Sequence, residues 1–193
     1  LVGQELLFGD GALVAVVEGA SRVTGLYDVR LSTPLESIDR ALAEHGHVPI
    51  PPYIRRPDDA VDAERYQTVY ARVPGAIAAP TAGLHFDAAL IDALKAHGVS
   101  WTTITLHVGY GTFKPVRVER VEDHDVDPER YRVDEETADA LTRAVRDRRR
   151  IIAVGTTTTR ALESLRVENG IVMAGDGETR LFIQPGHRFE LVS

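Results

Sequence analysis

The segment from Ala79 to Val116 reads APTAGLHF (79–86), then an amphipathic run, then TLHVGYGTFKPV (105–116). Two short loops, each with a histidine beside glycine and threonine, flank one predicted helix and one predicted strand. Glycine lets a backbone approach a ligand closely, and histidine exchanges protons near neutral pH. Because such loops commonly carry binding and catalysis, the segment predicts a functional site. Taken singly, each glycine is as readily a turn, and each histidine a polar side chain in a niche.

Around this segment, helix and strand patterns alternate. Apolar periodicity predicts helices at 86–97 and 135–146, the second capped by Asp134, while β-branched or apolar runs predict strands at 99–108, 151–154 and 181–183. This alternation is typical of an α/β fold, and we predict a mixed, largely parallel sheet flanked by helices.

Residues 1–31 contain three short apolar runs separated by glycine-rich turns, which predicts strands at 6–8, 12–17 and 26–31. Three strands alone leave open edges, so we expect them to end a larger β-rich unit. A helix is predicted to begin at Thr33 and to end at Gly46. We place a domain boundary after residue 32, giving domains 1–32 and 33–193; the proline-rich run HVPIPPYI (47–54) is a second plausible boundary.

The composition narrows the function classes. The chain is 44% hydrophobic and 26% charged, which is ordinary for a soluble protein, and it has no long apolar run. It has no cysteine, which excludes disulfides, thiolate catalysis and cysteine-ligated metals. The net charge of −7 gives no overall basic surface, although five arginines cluster between residues 143 and 150. Most such runs are solvated helix faces, and contact with RNA is the functional alternative.

A third cluster, GTTTTR (155–160), follows the predicted strand at 151–154 and precedes a predicted helix at 161–165. This order presents free backbone N–H groups to an anion, and Arg160 is suited to grip a carboxylate. It is neither a P-loop nor a dinucleotide fingerprint. Ligands of open α/β sheets bind beyond the carboxyl ends of strands, so we expect the three clusters to share one pocket. Helix capping by the threonines is the simpler alternative.

Other chemistries have weaker support. His85, His107 and His124 match no compact metal-ligand spacing, so no metal site is predicted. Ser164 has no nucleophile-elbow glycines around it. General acid–base chemistry by His85 and His107 is therefore the better hypothesis.

Five segments, in this order, resemble one family. They are HVPIPPYI (47–54), ERYQTVYA (64–71), AAPTAGLHF (78–86), TLHVGxGTFxPV (105–116) and AVGTTxxRxLES (153–164). Together they resemble the S-adenosylmethionine:tRNA ribosyltransferase-isomerases of queuosine biosynthesis. The resemblance implies an α/β domain joined to a β-barrel insertion, with residues 1–31 as the end of that barrel. It also implies further family segments at both ends that this chain lacks.

The implied reaction moves and isomerises the ribosyl moiety of S-adenosylmethionine, a co-substrate, onto 7-aminomethyl-7-deazaguanine in tRNA. The products are epoxyqueuosine-tRNA, adenine and methionine, and no further cofactor or membrane partner is implied. The sulfonium acidifies the adjacent ribose carbon, so the site needs a base, a donor for the departing adenine and a grip on the methionine carboxylate. We expect a cytoplasmic enzyme and favour a monomer.

His85 and His107 are assigned the acid–base work. We expect substrate binding by the remaining polar and glycine positions of the three clusters: Thr81, Gly83, Gly109, Gly111, Thr112, Thr156, Thr157 and Arg160.

The chain departs from the family pattern at a few positions. Asp127 stands where a second histidine is usual, Tyr110 replaces a small residue between two glycines, Lys114 replaces a glutamine, and Thr158-Thr159 replace Ser-Val. Two alternatives therefore stay open. One is a divergent paralogue that uses S-adenosylmethionine with an acceptor other than tRNA. The other is a non-catalytic module that binds an adenosyl ligand or RNA.

Overall fold

A computed structural model describes residues 1–21, 25–51, 53–109, 118–121 and 126–193, and these form two compact units. The first unit is Leu1–Val48 and the second is Pro49–Ser193. Every predicted site residue belongs to the second unit. The predicted domain boundary at residue 32 stays a prediction.

The first unit is a three-stranded antiparallel sheet and one helix. Its elements are β1 (Glu5–Phe8), β2 (Leu13–Ala20), β3 (Tyr27–Ser32) and α1 (Ile38–His45), with β2 in the middle of the sheet. Leu13, Ala15 and Val17 alternate along β2 and are buried, as the period of two requires. The three predicted strands are confirmed. Within residues 1–21 and 25–48 they form an open sheet and not a closed barrel.

Helix α1 begins later than predicted. The Thr33 hydroxyl donates to the carbonyl oxygen of Ala12 (2.6 Å) and accepts from the Leu35 N–H (3.0 Å), which holds residues 33–35 against β2. Ser37 then caps the helix by accepting from the N–H of Arg40 (3.1 Å). The hydrogen bonds of the Thr33 hydroxyl therefore replace the first helical turn, which was predicted because Pro34 is compatible with a helix start.

The second unit combines short helices with two small sheets. Its helices are α2 (Asp62–Arg65), α3 (Ala88–Ala96), α4 (Glu135–Arg146) and α5 (Thr156–Glu163), and its strands are β4 (Thr105–His107), β5 (Glu129–Val133), β6 (Val167–Glu168), β7 (Ile171–Val172) and β8 (Gly175–Thr179). The strand order is β4-β5-β8 in one sheet and β6-β7 in the other. Helix α4 matches its predicted bounds, and the side chain of Asp134 caps it as predicted, accepting from the N–H of Thr137 (2.8 Å).

The mixed α/β class is confirmed, but the prediction of a largely parallel sheet is wrong. Every strand pair in the described ranges is antiparallel, including β4 with β5 and β5 with β8. The run at 151–154 joins no ladder there. Instead the Ile151 carbonyl accepts from the N–H of Ser193 (2.9 Å), and the Ile151 N–H donates to the Ser193 hydroxyl (3.3 Å). Residues 181–183, predicted as a strand, belong to no strand of the described structure, and the last strand there is β8.

The core of this unit lies where β5, α4 and α5 meet. Its buried members are Tyr131, Val133, Ala138, Leu141, Ile151, Ala161, Leu162, Val172 and Leu191. Strand β5 carries Glu129, Tyr131 and Val133 on its buried face, so one strand joins the hydrophobic core to a buried carboxylate. In the part of the chain that the structure describes, no helix is long and apolar enough to cross a bilayer.

Candidate active site

The first histidine cluster folds into a tight turn. Residues Thr81–His85 form a single 3₁₀ turn in which the Gly83 N–H donates to the Pro80 carbonyl (2.7 Å). Gly83 is buried, and a Cβ built on it would lie 2.2 Å from the Tyr70 hydroxyl oxygen and 2.8 Å from Thr68 Cγ2. Glycine is therefore required here for close packing against a tyrosine, and burial raises the pKa of that Tyr70 hydroxyl.

Tyr70, which contacts this turn, belongs to a group of packed aromatic rings. The Trp101 ring stands edge-on to Tyr70, with ring centroids 5.6 Å apart, and is tilted against Phe86 at 5.3 Å. These distances are typical of favourable aromatic pairs. Tyr70 therefore contacts both the glycine of the turn and the single tryptophan of the chain.

The second histidine cluster is hydrogen-bonded to the segment that leads into the first. The Val108 carbonyl, directly after β4, accepts from the N–H groups of Ile77 (2.9 Å) and Ala78 (3.3 Å). His107, half-buried at the end of β4, lies against Gly75, where a built Cβ would be 3.1 Å from the imidazole Nδ1. Gly75 has a φ of +122°, so it suits this position both sterically and conformationally.

The threonine cluster meets the first histidine cluster at its glycine. Gly155 precedes α5 with a φ of +97°, and a Cβ built on it would lie 3.6 Å from the Cβ of Ala82. Helix α5 starts at Thr156, earlier than predicted, so the threonines form its first turn. The N–H groups of residues 156–158 have no acceptor within the helix, whereas the Thr159 N–H already donates to the Gly155 carbonyl (3.0 Å). The free N–H groups carry the partial positive charge of the helix.

A buried carboxylate links β5 to the same helix. Glu129 Oε2 accepts from Arg160 Nη1 (2.7 Å), and Thr157 Oγ1 lies 3.5 Å from Glu129 Oε1. The Glu129 and Arg160 side chains are only 7% and 15% exposed. Arg160 Nε donates to the Leu181 carbonyl (2.6 Å), whereas Arg160 Nη2 is buried without a hydrogen-bond partner in the described residues.

The described parts of the three clusters are therefore adjacent. The 3₁₀ turn contacts α5 at Gly155, β4 is bonded to the segment before the turn, and β5 connects β4 to Arg160. Thr81, His85 and Thr156 are exposed, Gly83 is buried, and His107, Gly109, Thr157 and Arg160 are partly buried. Gly111, Thr112, Tyr110, Lys114 and His124 lie outside the described residues.

Glu129 is a site residue that was not predicted from the sequence. The signal was available, because RYRV (130–133) alternates polar and apolar residues, and the same period of two puts Glu129 on the buried face with Tyr131 and Val133. A glutamate at such a position needs a buried cation or hydrogen-bond donors. Sequence reasoning assigned Arg160 to a ligand carboxylate, but in the structure two of its nitrogens already bond protein oxygens.

No group of three or more histidine and acidic side chains is placed to hold a metal ion, as far as the described ranges reach. A shallow depression of about 550 Å³ lies at the opposite end of β5 from Glu129. Its lining, from Arg132 to Glu136 with Ala174 and Gly175, includes no predicted site residue. We therefore place the candidate site at the cluster junction.

The family model for queuosine biosynthesis proteins matches the chain over residues 1–193. The chain belongs to this family. The resemblance seen in the five sequence motifs is thereby confirmed, and the junction described above is a feature of a queuosine biosynthesis family member.

Curated relatives within the family are similar over almost the whole chain. A protein of Sorangium cellulosum is 51% identical over 187 residues, covering 95% of this chain and 50% of the relative. A Geobacter sulfurreducens protein is 47% identical and an Anaeromyxobacter protein 50% identical, each over 190 residues, 98% of this chain and 54% of the relative. All three are named S-adenosylmethionine:tRNA ribosyltransferase-isomerase. The chain spans about half the length of these relatives.

Proposed function

We propose that the chain contributes to an S-adenosylmethionine:tRNA ribosyltransferase-isomerase. The ribosyl moiety of S-adenosylmethionine would be transferred to 7-aminomethyl-7-deazaguanine in tRNA and isomerised, releasing adenine and methionine. The observation that carries the proposal is the adjacency of three family motifs that lie far apart in sequence. The names of the similar proteins supply S-adenosylmethionine and tRNA, and the motif resemblance implies the deazaguanine acceptor. A monomeric, cytoplasmic protein with S-adenosylmethionine as co-substrate is part of this proposal.

The methionine carboxylate is proposed to bind at the start of α5. The first-turn N–H groups and the exposed Thr156 hydroxyl supply donors, and the helix dipole favours an anion there. Of the three nitrogens of the Arg160 guanidinium, only Nη2 has no protein partner in the described structure, so it is the nitrogen that we assign to the ligand. Glu129 and the Leu181 carbonyl would hold the guanidinium plane in place.

His107 and His85 are proposed as the acid–base pair. A proton must leave the ribose carbon beside the sulfonium, and a proton must reach the departing adenine. His107 is half-buried beside Gly75 and His85 is exposed at the end of the 3₁₀ turn. His85 ends the 3₁₀ turn that contacts Gly155, and His107 ends β4, which is bonded to the segment before that turn. We assign the two histidines to the two proton transfers as a pair.

The direct test is adenine release from S-adenosylmethionine in the presence of tRNA that carries the deazaguanine. We expect His107→Ala to lower this rate by about 10²–10⁴-fold, the usual contribution of a positioned acid or base. His97→Ala is the matched control, because His97 is exposed at the end of α3 and bonds only the Ala93 carbonyl in the described structure. Full turnover by His107→Ala with unchanged substrate binding would remove its assignment. Adenine release that does not depend on tRNA would favour another acceptor.

The variant Gly109→Ala tests whether S-adenosylmethionine binds close to this backbone, without disturbing the fold. A Cβ at Gly109 meets no described atom within 4 Å, and its φ is not positive, so we expect an unchanged melting temperature. If a ligand approaches this backbone, the added methyl group raises the Kd for S-adenosylmethionine by tenfold or more, a loss of about 1.4 kcal/mol. Gly19→Ala, equally unhindered but in the first unit, should leave the Kd unchanged. Equal Kd values for both variants would exclude Gly109 from the binding surface.

A further inference from the structure

We infer that the C-terminal end of α4 and the turn after it form a surface that binds RNA phosphates. We call this surface the arginine turn, and its members are Arg143, Arg146, Arg148, Arg149 and Arg150. The inference rests on the proposed function, in which the acceptor is a tRNA, and it adds the residues that hold that acceptor.

The arginine turn opposes the charge of the chain as a whole. Five arginines and one aspartate within eight residues give a local charge of +4, whereas the whole chain has a net charge of −7. All five arginines are exposed. Phosphate contacts by exposed arginines dominate RNA affinity and do not require a basic protein overall.

Four of these guanidinium groups form no ion pair with any residue that the structure describes. Arg146 Nε contacts Asp147 Oδ1 at 3.1 Å, but no carboxylate in the described ranges pairs with Arg143, Arg148, Arg149 or Arg150. Some other exposed arginines of this unit do pair, as Arg166 does with Glu168. The unpaired groups are therefore available to phosphates without first breaking an ion pair.

One residue of the arginine turn, Arg148, has a backbone conformation that is unfavourable for any residue with a Cβ. The Arg149 N–H donates to the Ala144 carbonyl (2.8 Å) and the Arg148 N–H to the Val145 carbonyl (3.1 Å), which is the Schellman pattern of helix ends. Arg148 occupies the left-handed position of this pattern, with a φ of +52°. Glycine is the usual residue there, because any Cβ is disfavoured. Because an exposed arginine occupies this unfavourable position in place of glycine, we infer that Arg148 has a functional role beyond ending the helix.

The arginine turn is close enough to the candidate site to act on the same RNA. Only residues 151–154 separate Arg150 from Gly155, where the threonine cluster begins. Five residue steps span at most about 18 Å, which is roughly the length of five stacked base pairs. An acceptor nucleotide at the site would therefore have neighbouring phosphates within reach of the arginines.

The experiment measures the salt dependence of tRNA binding. The double variant Arg149→Gln/Arg150→Gln should weaken tRNA binding about tenfold at 100 mM salt and lower the slope of log K against log salt by about 1.4–1.8. The control Arg166→Gln/Arg180→Gln removes the same charge from two exposed arginines that pair with Glu168 and Glu178, and should do neither. If the two doubles have equal slopes, the surface assignment is overturned.

Arg148→Gly separates binding from stability. Because glycine relieves the left-handed backbone, this variant should melt no earlier than the wild type, yet it should bind tRNA more weakly and with a lower slope. Unchanged tRNA binding by Arg148→Gly would remove Arg148 from the surface.

Other results would overturn the inference in distinguishable ways. Tighter binding to vesicles of anionic lipid than to tRNA, lost in the Arg149/Arg150 double variant, would assign the surface to membranes. A wild-type chain that binds S-adenosylmethionine but no tRNA would overturn both the acceptor and the arginine turn. Adenine release at saturating tRNA that is equal in all variants, with equal tRNA affinity, would preserve the proposed function and overturn only this surface.

Discussion

Replacing Arg160 by methionine would test the buried pair that joins β5 to α5. The change removes the Arg160 Nη1 donor from Glu129 Oε2, while Thr157 Oγ1 stays 3.5 Å from Glu129 Oε1. Both side chains are at least 85% buried, so solvent screens the pair weakly. Removing one partner of such a pair typically costs about 3–5 kcal/mol, because the other charge stays buried. Glu129→Gln should cost a similar amount.

The assay is urea unfolding followed by the fluorescence of Trp101, the single tryptophan, which reports on the second unit. With an m-value of about 1–3 kcal/mol/M, a loss of 3 kcal/mol lowers the midpoint by about 1–3 M. The double variant Arg160→Met/Glu129→Gln should lose less than the sum of the single variants, since it leaves no uncompensated charge.

Glu168→Gln is the matched control. It removes the same carboxylate charge from an exposed ion pair of the same unit, with Arg166, and should change stability by less than about 1 kcal/mol. If both Arg160→Met and Glu129→Gln lose no more than this control, or if their losses simply add, the pair does not hold β5 and α5 together.

Three further predictions concern the packing and pH dependence of the second unit. Gly177→Ala should destabilise the chain by about 1–3 kcal/mol, because its Cβ would lie 2.4 Å from the Tyr131 ring across the β5–β8 pair; an unchanged melting temperature would contradict this contact. The hydrogen bonds from Arg56 lower the pKa of Asp62 to about 2, so its stabilisation is complete above about pH 4 and is lost as pH falls toward 2. The melting-temperature gap between wild type and Asp62→Asn should therefore shrink over that range, and a constant gap would exclude the linkage. Burial raises the pKa of Glu163, but three backbone N–H donors from residues 190–192 outweigh burial and lower the pKa overall. Glu163→Gln should therefore speed the hydrogen exchange of those three amides. Unchanged protection of the amides would show that the carboxylate does not hold them.

Local patterns predicted the elements that depend on local chemistry. Helix α4 combines an Asp134 cap with a clear apolar period, and both signals lie within fifteen residues. The strands of the first unit coincide with short apolar runs between glycine-containing turns, so their positions also followed from the sequence. The family motifs identified the clusters that meet at the site.

Strand direction depended on partners that the local pattern does not reveal. Strand β8 reads GDGET, which has no apolar alternation, yet it pairs with β5 because Gly177 leaves room for the Tyr131 ring. The apolar run at 151–154 looked like a buried strand, but its first residue bonds Ser193 instead. The partner of Arg160 also could not be predicted from the local sequence, because Glu129 lies 31 residues away.

The hydrogen bonds between Ser193 and Ile151 also bear on the arginine turn. They join the residue that follows Arg150 to a position 42 residues further along the chain. A substitution at Ser193 would therefore disturb the backbone beside the arginines whose electrostatics are to be measured. Ser193 should stay unchanged in every variant that is used for an RNA titration.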